Sequence, residues 1–119
     1  MTTTPGRAFY DRQIVFLEAN DVEGLIHNQY APDAELVGFD LNIIGTEALI
    51  KHFHEYLEHM GGIKVLSTEK FMETEDSIMF EATVKVAAGT ARVYDSFVLL
   101  KNGKAAYHFT GLLGFTPNP

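Results

Sequence analysis

The feature that most constrains the fold of this 119-residue chain is a change of hydrophobic period at Gly61–Gly62. Before this pair, apolar residues recur at the spacing of α-helices, and after it they alternate as in β-strands. The alternating stretches cover residues 63–72, 77–87, 91–100 and 104–115. Because short turn-forming segments join them, they predict an antiparallel meander. Helices followed by strands predict an α+β fold.

The first half of the chain carries the signals of three helices. Thr4-Pro5 is typical of a helix start, and Asp21 can cap a short second helix. Thr46 can cap the third helix, which Gly61–Gly62 ends. The apolar stripe of the third helix comprises Leu49, Ile50, Phe53, Tyr56, Leu57 and Met60. We expect these helices to pack on the concave face of a strongly curved antiparallel sheet, which also includes a short strand at 34–39.

Composition narrows the classes of function. Sixteen acidic residues against nine basic ones give a net charge of −7 without a basic stripe, so binding to nucleic acid is not expected. The chain has no cysteine, which excludes disulfides and thiolate chemistry. No apolar stretch approaches the ~20 residues that span a bilayer. Because residues 1–13 also lack the pattern of a signal peptide, we expect a cytoplasmic protein with no membrane contact.

No repeat, linker or low-complexity tract divides the sequence, which predicts one domain over residues 1–119. The chain also lacks a Gly-rich phosphate loop and a nucleophile elbow. In the third helix, Glu55 and His59 have a spacing that metal sites use, and His52 and His54 lie nearby. Glu55 and His59 lie off the apolar stripe, so the group is interpreted as a solvated surface. No metal and no cofactor are expected.

Asp95 stands in an otherwise apolar predicted strand, which raises the question of the direction in which it points. On the preceding strand, one face is apolar and the other carries Glu81, Thr83 and Lys85, so the apolar face must be buried. That face comprises Phe80, Ala82, Val84 and Val86. If the turn at 87–90 leaves an even number of unpaired residues, Ala82 lies opposite Asp95 and the carboxylate shares the buried face. An odd-length loop or a bulge would reverse this.

The next turn indicates the same placement. Asn102-Gly103 is a preferred dipeptide of the two-residue type I′ hairpin turn. The pairs in that register are Leu99–Ala106, Phe97–His108 and Asp95–Thr110. His108 is then the diagonal neighbour of Asp95 on one face, within reach of its side chain. The two turns together predict Asp95, His108 and Thr110 on one apolar wall.

The opposite face of these strands is too apolar to be left in water, and a large exposed apolar patch usually marks an association surface. It comprises Tyr94, Val98, Leu100, Tyr107 and Phe109. We therefore expect a homodimer through the outer sheet face, with Tyr94, Val98, Tyr107 and Phe109 in the interface. The alternative reverses the sheet, so that the aromatic face is the core and Asp95 and His108 are solvated. The polar Glu81, Thr83 and Lys85 on that face argue against the alternative.

The order of elements resembles the NTF2-like superfamily, and within it the SnoaL-like and ketosteroid-isomerase-like branch. The segments that carry the resemblance are 16–40, 44–53 and 94–109. The resemblance implies a deep conical pocket between helices and sheet and chemistry without a cofactor. It does not select an activity, because this fold hosts isomerases, cyclases, hydrolases, dehydratases and noncatalytic binders.

By this resemblance, Asp95 falls at the strand aspartate that ketosteroid isomerases keep protonated as an oxyanion-hole donor. Asp95 with His108 also resembles the Asp–His arrangement of SnoaL-like cyclases. Tyr30 matches an aromatic residue that lines the isomerase pocket.

Other positions depart from the family pattern. The isomerase's oxyanion tyrosine falls at Gln13, and its general base falls at Gly38, with Asp40 two positions further on. Steroid isomerisation is therefore not predicted. An epoxide-hydrolase triad is not favoured either, because Arg92 has the wrong strand parity beside Asp95.

Two functions remain open. In the first, a cofactor-free isomerase, cyclase or hydrolase uses Asp95 as base or acid and His108 as its partner on a small apolar carbonyl compound. The residues expected to contact the ligand are Tyr30, Asp40, Phe53, Phe80, Phe97 and Thr110. In the second, Asp95 and His108 form a structural pair in a noncatalytic ligand-binding or dimerisation module. A nuclear-transport adaptor is a weaker alternative, which rests on the fold alone.

Overall fold

The computed structural model describes residues 3–119 and confirms the α+β class, with three helices and six strands in that range. The helices are α1 (Pro5–Glu18), α2 (Val22–Gln29) and α3 (Thr46–Met60). The strands are β1 (Tyr30–Gly38), β2 (Leu41–Ile44), β3 (Lys64–Glu73), β4 (Ser77–Val86), β5 (Gly89–Leu99) and β6 (Ala105–Pro117). β1 begins four residues before the predicted strand, and the short β2 was not predicted from the sequence.

Helix ends follow local chemistry. The Thr4 side chain accepts from the Arg7 amide at 3.3 Å, and the Asp21 side chain accepts from the Gly24 amide at 2.9 Å. The prediction that Thr46 caps α3 is wrong by one position. The N-cap is Gly45 at φ 91°, a backbone conformation that favours glycine, and Thr46 is the first helical residue. Gly61 ends α3 in the left-handed conformation, as expected.

The sheet is curved and open, with strand order β2-β1-β6-β5-β4-β3. The four-strand meander from β3 to β6 is confirmed. The prediction of a wholly antiparallel sheet is wrong, because β1 pairs parallel with β6. These two strands are separated in the chain by α3 and most of the meander, so no hairpin dictates their relative direction.

The register between β4 and β5 differs from the prediction by two residues. Phe80 lies opposite Asp95, and Ala82 lies opposite Val93. The predicted pairing of Ala82 with Asp95 is wrong because pairing continues to Val86 and Gly89, which leaves a loop of two residues. A shift of two preserves the side of the sheet, so Asp95 remains on the face of Phe80 and Ala82.

The β5–β6 hairpin has the predicted pairs Phe97–His108 and Asp95–Thr110. A bulge next to the turn pairs Leu99 with Ala105 instead of the predicted Ala106. The turn itself is not type I′, because that turn needs positive φ at two residues and only Gly103 has it here. The observed hairpin closes through three residues, 101–103, with the Gly103 amide bonded to the Leu100 carbonyl at 2.9 Å.

The core lies between the helices and one face of the sheet. One buried cluster contains Phe9 of α1, Leu25 of α2 and Leu49 of α3 together with Phe80 and Phe97 of the sheet. The alternative in which the aromatic face forms the core is wrong, since Tyr107 and Phe109 on the other face are 41% and 39% exposed. None of the helices within residues 3–119 has the length and apolar character that crossing a membrane requires.

Candidate functional site

A cavity of about 150 Å³, open on one side, lies among α1, α3 and the sheet. Most of its wall is apolar, and its polar groups come from few positions. The sheet supplies Leu36, Leu41, Val65, Phe80, Ala82, Val84, Val93, Asp95, Phe97, His108 and Thr110, the connection between α3 and β3 supplies Ile63, and the helices supply Tyr10, Gln13, Ile14, Leu17, His52, Phe53 and Tyr56. An apolar cavity of about this volume holds a molecule the size of benzene. The site therefore has the size and character of a pocket for a small organic molecule.

Asp95 and His108 form a hydrogen-bonded pair in the wall of this cavity. His108 Nε2 lies 2.7 Å from Asp95 Oδ1, and the two side chains are 6% and 14% exposed. The His108 ring stacks on Phe97 with centroids 3.9 Å apart, which holds the imidazole in place. No other hydrogen bond to the Asp95 carboxylate occurs within residues 3–119, so its second oxygen can contact a ligand.

A chain of buried hydrogen bonds begins behind this pair, at Gln29. The Arg12 guanidinium can only donate, so its Nε at 3.1 Å requires Gln29 Oε1 as acceptor. The Phe9 carbonyl can only accept, so it takes a hydrogen bond from Gln29 Nε2 at 2.8 Å. Gln29 Nε2 also donates to Gln13 Oε1 at 3.2 Å. These contacts fix the orientations of both amide groups.

The hydrogen-bond chain continues from Gln13 to the wall of the cavity, with each group donating to the next. With its oxygen engaged by Gln29, Gln13 uses Nε2 to donate to the Tyr30 hydroxyl at 3.0 Å. Tyr30 then donates its own proton to His108 Nδ1 at 2.8 Å. A neutral His108 therefore carries its proton on Nε2 and donates it to Asp95. The chain from Gln29 to Asp95 fixes the tautomer of the histidine beside the candidate acid–base group.

Burial changes the pKa values of three groups around the site. Desolvation raises the pKa of Tyr30 far above its ordinary value of 10.0, although the hydrogen bond from Gln13 acts in the opposite direction. Tyr30 therefore keeps the proton that it donates to His108. Desolvation also raises the pKa of Tyr56, with a smaller contribution from the Asp95 charge. Desolvation lowers the pKa of His52 below 6.5, so this side chain is neutral at pH 7.

Most of the predicted site residues come together. Asp95, His108 and Thr110 share the wall of the cavity with Phe53, Phe80 and Phe97. Tyr30 is 2% exposed and lies behind His108, so it acts on the site through the histidine rather than by touching a ligand. Asp40 is exposed in the turn between β1 and β2, outside the cavity wall.

Reasoning from the sequence missed three polar residues of the wall, Tyr10, Gln13 and His52. Gln13 was noted only as a departure from the family pattern, and His52 was assigned to a solvated surface. A helical signal for His52 exists, because it follows Leu49 by three positions and precedes Tyr56 by four. Residues 3–119 contain no group of three or more His, Asp and Glu side chains that could hold a metal ion.

Comparison with known proteins gives the fold. No family model matches the chain, and no curated protein matches it. A SnoaL-like protein of unknown function from Burkholderia thailandensis superposes with a TM-score of 0.79 at 15% identity, over 96% of this chain and 99% of that one. An NTF2-like protein of unknown function from Burkholderia pseudomallei gives 0.78 at 14% identity, over 92% of each chain.

A third solved structure is that of TerC, co-crystallised with polyporic acid. It superposes with a TM-score of 0.74 at 20% identity, over 92% of each chain. The element order, the curved open sheet and these superpositions agree with the resemblance drawn from the sequence. The protein therefore shares the fold of these NTF2-like and SnoaL-like structures.

Proposed function

We propose that this protein binds a small apolar carbonyl compound in the cavity and moves a proton on it with Asp95, as a cofactor-free isomerase or cyclase does. The observation that carries the proposal is the position of the Asp95 carboxylate. One of its oxygens accepts from His108 at 2.7 Å, and the other is free to meet a ligand in an apolar cavity. We further propose that the helices pack on the concave face of the sheet, so that α1 and α3 cover the cavity on that side.

The roles follow from the hydrogen bonds. Asp95 acts as the general base that takes a proton from the carbon next to a carbonyl group. His108 holds the carboxylate with its Nε2–H, and Tyr30 holds that tautomer. Thr110 lies opposite Asp95 on the neighbouring strand and adds a hydroxyl to the same wall. A co-crystal of TerC with polyporic acid supports an organic ligand for a protein of this fold.

The experiment uses cyclohex-3-enone, a monocyclic ketone suited to a cavity of about 150 Å³. Transfer of a proton from the carbon between carbonyl and double bond gives the conjugated cyclohex-2-enone, which is followed by its ultraviolet absorbance. We expect saturable catalysis that falls about 10²- to 10⁴-fold in Asp95→Asn. Glu35→Gln is the matched control, because Glu35 is a carboxylate on β1 outside the cavity wall. Equal rates for the wild type and Asp95→Asn would refute the role of Asp95.

Binding without turnover is the second candidate function. It is favoured by the completeness of the buried network, since no buried side-chain nitrogen or oxygen in the described part of the chain lacks a partner. A pair that only completes the core needs no substrate. Chemical-shift changes at Ala82 and Phe97 on addition of cyclohex-3-enone, without conversion of the ketone, would support this function over catalysis.

We also propose that a second copy of the chain covers the outer sheet face. Tyr107 and Phe109 stack in parallel there with centroids 5.9 Å apart, and Tyr94 and Val98 lie on the adjacent strand. A two-fold dimer places the same patch on both sides of an interface, which suits a continuous apolar surface. Sedimentation is expected to give a dimer that Phe109→Glu dissociates. A monomeric wild type would refute this assembly.

A further inference from the structure

Two polar rings face the cavity from α3, one helical turn apart. His52 and Tyr56 stack with centroids 6.0 Å apart and an interplanar angle of 15°. Phe53 contacts both rings edge-on, at 5.4 Å from His52 and 6.4 Å from Tyr56. Phe53 is 5% exposed and belongs to the core, so it anchors the pair. The two rings therefore have defined positions in the helix side of the cavity.

Among the hydrogen-bond donors of the wall, those of these two side chains are free, as is the Thr110 hydroxyl on the sheet side. Tyr10 is bonded to Thr68 at 2.6 Å, and Gln13 and His108 are both engaged in the buried chain. Across residues 3–119, neither the His52 side chain nor the Tyr56 side chain makes a hydrogen bond. A ligand in the cavity can therefore supply their acceptor without breaking an existing contact.

The charge state of both groups suits donation to an oxygen. Burial raises the pKa of Tyr56, which keeps its O–H, and burial lowers the pKa of His52, which is then a neutral imidazole with one N–H. The Asp95 carboxylate lies on the sheet side of the same cavity. A ligand between helix and sheet meets two donors on one side and a base on the other.

We propose that His52 and Tyr56 bind the carbonyl oxygen of an enolisable ketone and stabilise the enolate that forms when Asp95 removes the neighbouring proton. The inference rests on the proposed function and names its substrate class. Asp95 gains the proton, the electron pair of the C–H bond becomes the C=C bond, and the carbonyl π pair moves to oxygen. The enolate oxygen accepts from Tyr56 Oη–H and from the His52 N–H. Return of the proton from Asp95 to carbon restores the carboxylate.

The test uses 4-nitrophenolate as a stable mimic of the enolate. In Asp95→Asn, the neutral amide stands in for the protonated carboxyl group that exists after proton removal. We expect this variant to bind 4-nitrophenolate in preference to the neutral phenol, as read from the absorbance of the bound anion. Adding Tyr56→Phe or His52→Phe is expected to weaken phenolate binding about tenfold each, because hydrogen bonds to charged groups are the strong ones. Both substitutions keep an aromatic ring in the stack.

In the protein that retains Asp95, Tyr56→Phe is expected to lower kcat for cyclohex-3-enone about 100-fold with little change in KM. Loss of a hydrogen-bond donor to the oxyanion has this effect. His54→Gln, an exposed histidine of the same helix outside the cavity wall, is the control and leaves both readouts unchanged. Circular dichroism confirms folding of each variant.

The outcomes separate the two proposals. Phenolate binding that is absent in Asp95→Asn, or unaffected by Tyr56→Phe and His52→Phe, overturns the inference even if Asp95-dependent turnover is present. Absence of Asp95-dependent turnover overturns the proposed function, and with it the enolate role, whatever binds. Weakened phenolate binding together with the kcat loss supports both.

Discussion

Replacing Tyr30 with phenylalanine removes one oxygen atom from a buried hydrogen-bond chain and keeps the ring. Tyr30 is 2% exposed, and its hydroxyl serves two partners at once. Without it, Gln13 Nε2 loses its acceptor and His108 Nδ1 loses its donor. Each unsatisfied buried group costs about 1–3 kcal/mol. We expect Tyr30→Phe to lower the free energy of unfolding by about 3 kcal/mol, a large part of the roughly 5–15 kcal/mol that such domains have.

Urea unfolding followed by circular dichroism measures this loss as a shift of the midpoint at constant slope. Thr116→Val is the control, because it removes a hydroxyl group from an exposed residue outside the proposed dimer interface. The control is expected to stay within about 0.5 kcal/mol of the wild type. If Tyr30→Phe lost less than about 1 kcal/mol, the hydroxyl would not connect Gln13 to His108, and the fixed direction of the chain would be refuted.

Three further measurements test other parts of the structure. Long-range nitrogen–proton NMR of His108 is expected to place the ring proton on Nε2 in the neutral state; a proton on Nδ1 would contradict the direction of the buried chain. The lowered pKa of His52 means that the unfolded chain binds a proton below pH 6.5 that the folded chain resists, so stability falls as pH drops through that value. His52→Phe is expected to reduce this loss in urea titrations above and below pH 6.5, and an unchanged pH profile would refute it. Glu73→Ala is expected to cost about 1 kcal/mol, because Glu73 accepts from the Gly6 amide at 3.0 Å at the start of α1; a loss no larger than that of the exposed Glu75→Ala would contradict this.

Local patterns were sufficient to place Asp95. The alternation of apolar and polar residues in β4 identified the buried face, and two turns carried that face to His108 and Thr110. The predicted β4–β5 register is wrong by two positions. A shift of two residues leaves each side chain on the same face of the sheet, so the predicted side of Asp95 is still correct. The bulge near Leu99 lies beside the turn and stops short of Phe97 and His108, whose pairing is as predicted.

The sequence by itself therefore determined the order of the three helices and of the β3–β6 meander, the starts of α1 and α2, and the side of the sheet on which Asp95 lies. These properties depend on hydrophobic period and on capping and turn residues a few positions apart. The tertiary structure decided the parallel pairing of β1 with β6, the cavity, and the approach of His52 to it. It also joined Gln29 and Gln13 to Tyr30 and His108, in a chain whose hydrogen-bonded partners Tyr30 and His108 are 78 positions apart. Such contacts depend on how whole elements pack, and no local pattern records that packing.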